Sequence, residues 1–168
     1  MEITVRRFII PLLLTLFTLL GYAQEYNKEH VGKIDRALLT SDPEFKKWFV
    51  LGYNEYQPKD SFVVRLRPLL LDKKIVVVMG TWCSDSQLDV PHLINLLDEL
   101  EFDRTRIDIW GIDRKKTEPA NILSKYEIKY VPTIIVYDKD GKEVARIVEK
   151  PEVTLEQDLI KLLSGETY

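Results

Sequence analysis

What this 168-residue chain has little of narrows it first. It holds one cysteine, so no internal disulfide can form and its stability has to come from a packed core. Its two histidines, His30 and His92, stand far apart in sequence. With a single cysteine they make no metal-ligand pattern, and neither a metal nor a cofactor is expected. Lysine and arginine number 24 against 27 aspartates and glutamates, a formal charge of −3 with no basic stripe. That balance argues against nucleic acid as a partner. Internal repeats and low-complexity tracts are missing as well. Long apolar runs are scarce: the N-terminal one, Phe8 to Leu20, falls short of the about 20 residues that span a bilayer.

That run follows Arg6-Arg7 and precedes Gly21 and Ala23, small residues suited to cleavage before Gln24. The pattern predicts a secretory signal peptide over 1–23, with an uncleaved membrane anchor as the alternative. No cysteine stands near Ala23 to carry a lipid. The remaining chain is long enough for one domain with a proper core. The expectation is an exported, periplasmic protein with no stable membrane insertion after signal cleavage.

The rest of the chain is organised around residues 74–100. Ile75-Val76-Val77-Val78 reads as a buried strand. Gly80-Thr81 breaks it, and Cys83 follows at once. Then Leu88, Val90, Leu93, Ile94, Leu97 and Leu100 recur at the spacing of a helix with one buried face. Cys83 thus sits at a strand-to-helix junction, where free N–H groups and the helix dipole favour a thiolate. Asp85 works against this if its carboxylate faces the sulfur and not if it points to solvent.

Before this stretch, Pro43 follows Ser41-Asp42, and aromatic residues at 45, 48, 49, 53 and 56 predict a helix over 43–56. Gly52 weakens that reading, and Trp48 to Leu51 can be read as a strand. Asp60 can cap a helix through Leu70 that Pro68 would end or kink. Residues 24–60 are therefore read as a helical N-terminal extension. After the central stretch come a strand over 106–112, a helix over about 119–126 and a strand over 131–137. A turn at Lys139-Asp140-Gly141, a strand over 143–148 and a helix capped by Thr154 complete the order. Leu155, Leu159, Ile160, Leu162 and Leu163 form that helix's expected buried side. Helical crossovers would make the first strand pairings parallel and the Asp-Gly turn adds an antiparallel pair.

In this setting the residues resemble the thioredoxin family. Trp82-Cys83 after a buried strand looks like the family's W-C-x-x-C site, and Pro91 falls where the family's helix carries a proline. Tyr126 to Thr133 is similar to the family's Y-x-I-x-x-[IV]-P-T segment, whose proline is cis and faces the cysteine. Gly111-Ile112-Asp113 matches the end of the preceding strand. The resemblance implies an α/β thioredoxin-like three-layer α/β/α sandwich over 61–168, with a central mixed sheet of four to five strands. It also implies that Pro132 is cis and that an extended substrate docks on the Val131-Pro132 backbone, beside Trp82 and Thr133. One departure stands out. The motif is Cys83-Ser84-Asp85-Ser86, like exported members with W-C-x-D-S, and Ser86 occupies the place of the resolving thiol.

A hydroxyl cannot resolve a mixed disulfide by forming an internal bridge, so a dithiol cycle is excluded by composition. What remains is monothiol exchange or isomerisation, with Cys83 as nucleophile and Ser86 as either a partner to the thiolate or a spectator. Its substrates would be protein or low-molecular-weight thiols and disulfides. Two rival readings stand beside it: a non-catalytic binding or adaptor module on the same fold, and a peroxide-sensing thiol protein. Arg114-Lys115-Lys116 is read as a solvated loop or, if it faces Cys83, as an attraction for acidic partners. His92 is read as a solvated or packed helix residue.

Overall fold

A computed structural model describes residues 28–166. The predicted signal peptide lies outside them. The chain forms strand β1 (Gly32–Ile34), helices α1 (Arg36–Ser41), α2 (Pro43–Glu55) and α3 (Asp60–Leu70), then strand β2 (Lys74–Met79). Helix α4 (Ser84–Glu99), strand β3 (Ile107–Gly111) and helix α5 (Ala120–Lys125) follow. Strands β4 (Thr133–Tyr137) and β5 (Glu143–Val148) lead to helix α6 (Leu155–Ser164). The five strands make one mixed sheet in the order β1-β3-β2-β4-β5.

Only β2 and β3 pair in parallel; β1–β3, β2–β4 and β4–β5 are antiparallel. The expected run of parallel pairings therefore stops after one. Helix α5 has six residues and rises only about 9 Å. Most of the connection over residues 112–132 is loop, and it does not return the chain to the start of β3. So β4 begins at the end where β3 stopped, with Thr133 opposite Val78. The hairpin to β5 is tied by Asp138, whose Oδ1 accepts from the N–H groups of Asp140 and Lys142. Gly141 there adopts a φ of 78°, which glycine takes without strain.

Alternation along β2 splits the core in two. Ile75, Val77 and Met79 face a large cluster built with Phe45 and Phe49 of α2, Leu66 and Leu70 of α3, Leu93 and Leu97 of α4 and Leu159 of α6. Val76 and Val78 face a smaller cluster of Ile112, Ile122, Tyr126, Val131 and Ile135, covered by α5 and its flanking loops. The first residues of the extension are not purely helical. Residues 32–34 add an edge strand, with Ile34 opposite Ile109. Three residues carry too little pattern to read as a strand.

Helix α2 covers 43–55, with Asp42 as its cap and Pro43 in its first turn. Gly52 costs helix propensity but lets α2 close on α4: a Cβ there would lie 3.2 Å from Pro91 Cβ. Helix α3 begins after Lys59 rather than being capped by Asp60, and it runs past Pro68 to Leu70. Pro68 is exposed, so the carbonyl it leaves unbonded can be hydrated. Two expected core leucines are corrected: Leu88 is 55% exposed and Leu162 41%. Both fit a helical stripe but fall at its margin, where the neighbouring element does not reach.

Candidate functional site

The turn between β2 and α4 carries the site. Gly80 N–H donates to Ser86 Oγ at 3.3 Å, and Cys83 N–H donates to Gly80 O at 2.9 Å. These bonds fold residues 80–83 into a tight loop that delivers Cys83 as the N-cap of α4. Gly80 is required by its neighbour, since a Cβ would sit 2.7 Å from the Trp82 ring. Thr81 is fully buried. Its hydroxyl donates to Lys28 O at 2.8 Å and accepts from His30 N–H at 3.0 Å, so residues 28–30 clasp the loop from outside. Gln87 Nε2 donates to Thr81 O at 2.7 Å from within α4.

Cys83 is half-buried and free. Its thiol faces the Val131-Pro132 segment and donates to Val131 O at 3.4 Å. The Val131-Pro132 peptide bond is cis, and both residues are buried. Thr133 is buried beside them and donates to Tyr130 O at 2.7 Å. Pro132 O accepts from Glu149 N–H, which ties the segment to the end of β5. Trp82 lies half-exposed next to the sulfur, its Nε1 donating to Ile112 O at 3.0 Å. The structure therefore brings Trp82, Cys83, Val131, Pro132 and Thr133 together from two segments that are distant in the chain.

Ser86, expected as either a partner to the thiolate or a spectator, lies within the turn. It is fully buried, and its Oγ accepts from Gly80 N–H. Its hydroxyl oxygen thereby helps to shape the turn. Ser84 and Asp85 are exposed in the first turn of α4, which answers the question of Asp85: its side chain points to solvent. One turn on, burial pushes the Asp89 carboxyl up to about 6, and the Asp85 charge adds to the shift. His92 is packed, stacked on Tyr56 with ring centres 4.4 Å apart. Burial lowers its pKa. Among the described residues, no cluster of three His, Cys, Asp or Glu is placed to hold a metal.

The loop after β3 supplies what linear sequence could not reveal. The Arg114 guanidinium lies 5.3 Å from the centre of the Trp82 ring, and Glu29 accepts Arg114 N–H at 2.9 Å. Lys116 Nζ stands 5.1 Å over the Tyr130 ring. Asp113 holds the loop by accepting from the N–H groups of Thr117 and Glu118, bonds that keep its carboxyl below the ordinary range. Nothing in the spacing of residues 29, 82 and 114 signals that they meet.

Cys83 thus caps a helix N-terminus and faces the cis Val131-Pro132 bond that leads into the neighbouring strand β4. The family model described as Thioredoxin matches residues 50–161. The chain belongs to the thioredoxin family. Its likeness to curated thioredoxin-family proteins is distant. The thiol-disulfide oxidoreductase ResA of a Bacillus cereus strain is 23% identical over 163 residues, 84% of each chain. A thioredoxin of Staphylococcus epidermidis is 32% identical over 91 residues, 54% of this chain and 82% of that one. Among solved structures, a protein of unknown function from Pseudomonas aeruginosa superimposes with a TM-score of 0.60 at 14% identity. It covers 80% of this chain and 93% of that one, a likeness of fold alone. Thioredoxin-like proteins act on protein or thiol substrates, and the mixed sheet flanked by helices is the fold expected of them. No helix among the described residues is long and apolar enough to cross a membrane.

Proposed function

We propose that this protein carries out thiol–disulfide exchange by a monothiol route, with Cys83 as its nucleophile. The observation that carries the reading is the sulfur of half-buried Cys83 beside the Val131-Pro132 backbone, in a chain with no second thiol. Cys83 gives its proton to solvent and attacks one sulfur of a substrate disulfide. The new Sγ–S bond forms as the old S–S bond breaks, and the displaced sulfur leaves with the electron pair. A second thiolate, from the substrate or a small thiol, then opens the mixed disulfide and restores Cys83. Trp82, Val131, Pro132 and Thr133 form the docking wall, and an extended peptide aligns along the 131–132 backbone. Ser86 acts as a positioning residue through Gly80. Ser84 and Asp85 lie at the solvent rim.

We place this activity outside the cytoplasm, in the periplasm, because residues 1–23 have the layout of a secretory signal. Fractionation with sequencing of the mature N-terminus checks that; a chain that begins at Met1 in the cytoplasm overturns it. For the chemistry, the protein is incubated with a small-molecule disulfide and examined by intact-mass spectrometry. The expected outcome is a single adduct on Cys83, absent in Cys83→Ser and reversed by added thiol. No adduct on the folded protein, with a full adduct on the denatured chain, leaves a binding module on the same fold.

A further inference from the structure

We propose that the loop side of the Cys83 site is a docking surface for acidic substrate segments, in which carboxylates flank the cysteine of the partner's disulfide. The inference rests on the exchange reading above and names its substrate class. Arg114, Lys115, Lys116 and Lys129 are all exposed on the loops that border the sulfur, although the chain as a whole is net acidic. Two of these cations are placed against aromatic rings that adjoin the site. Arg114 lies over Trp82, which precedes Cys83, and Lys116 lies over Tyr130, which precedes Val131. Each stack holds a cation next to one of the two backbones that a bound peptide has to pass. Lys116 is held further by Lys129 O, to which its Nζ donates at 3.2 Å. Tyr130 is 50% exposed, so it presents an open face to a partner.

Three carboxylates near this side, Asp113, Glu118 and Glu29, are turned to internal work, whereas Glu127 is exposed. Asp113 takes the N–H groups of Thr117 and Glu118 and the Thr117 hydroxyl. Glu118 accepts Ala120 N–H at 3.1 Å. Glu29 pairs with Arg114 at 3.9 Å and moderates its charge. Asp85 is exposed in the first turn of α4 and points to solvent. The loop side of the site thus presents exposed cations beside two aromatic rings. Charge complementarity of this kind acts chiefly on the rate of encounter and on the choice of partner.

Two peptides of equal length test this, each carrying one cysteine as a mixed disulfide with thionitrobenzoate. Glutamates flank the cysteine in one and lysines in the other. Attack by Cys83 forms the Sγ–S bond to the peptide and releases thionitrobenzoate as a coloured thiolate. At low salt the acidic peptide is expected to react about tenfold faster, and high salt should erase the difference. The double variant Arg114→Glu, Lys116→Glu should reverse the order of the two peptides with its melting temperature unchanged. Equal rates at low salt, or a preference that survives high salt or the double substitution, overturn the acidic-substrate inference alone. If neither peptide reacts with the folded protein while the denatured chain reacts with both, the exchange reading fails and takes this inference with it.

Discussion

The two faces of the sheet do different work. Ile75, Val77 and Met79 bury into a core shared by α2, α3, α4 and α6, whereas Val76 and Val78 meet a small cluster under α5. Four helices of 10 to 16 residues and the six-residue α1 cover the first face; one helix of six residues and its loops cover the second. Burial of apolar area scales with that cover, so the first face holds most of the stability. The second face keeps Trp82 and Cys83 at its margin, where partly buried side chains remain accessible. The lesson is a division of labour: the thick side makes the fold, and the thin side leaves room for chemistry.

The largest expected effect lies on the thick side. Phe49 is 2% exposed, and Phe49→Ala should cost about 3–5 kcal/mol in chemical denaturation. On the thin side, Ile122→Ala should cost less because α5 is short and its surroundings can collapse into the space. A thin-side loss equal to that of Phe49→Ala breaks the comparison.

Gly80→Ala comes next and should separate stability from site geometry. Its Cβ would meet the Trp82 ring at 2.7 Å, so the ring has to move and its bond to Ile112 O is lost. We expect about 1–3 kcal/mol of destabilisation with a several-fold change in the alkylation rate of Cys83. An unchanged rate would mean that Trp82 does not shape access to the sulfur.

The smallest effect is electrostatic. The Asp89 carboxyl has its folded pKa raised from 3.8 to about 6, so the folded state binds a proton more tightly than the unfolded chain. Below about pH 4 both states are protonated and the penalty is absent; it grows between about pH 4 and 6 and stays constant above. Asp89→Asn should therefore stabilise the protein at pH 7 by about 1 kcal/mol, allowing for partial solvent exposure, and should flatten that window. Melting temperatures of both proteins from pH 4 to 8 measure it. Loss of stability in the variant at pH 7 means that the charged carboxylate has a partner which offsets its burial.

Much of the fold was legible because its signals are local. The β-branched run at 75–78, the Asp-Gly turn and the Thr154 cap each act within a few residues, and the elements they predict are found at 74–79, 139–142 and 155–164. Strand β1 was not legible, because three residues opposite β3 owe their conformation to the partner and not to their own pattern. The direction of β4 also escaped, since it depends on the path of the loops on either side of α5 and not on a local pattern. Residue types at the site were readable from Trp82-Cys83 and Val131-Pro132-Thr133. The engagement of Ser86 with Gly80 and the meeting of Arg114 with Trp82 were not.

By itself the sequence determined the chemistry that is possible: one sulfur, no second thiol and a buried strand leading into a helix whose first turn holds it. Tertiary structure alone decided what that sulfur faces. Contacts such as Cys83 to Val131, Thr81 to Lys28 and Arg114 to Glu29 join residues 48, 53 and 85 apart. Such contacts depend on the sheet order and on the path of the loops, which emerge only when the whole core closes and distant segments are forced to one edge.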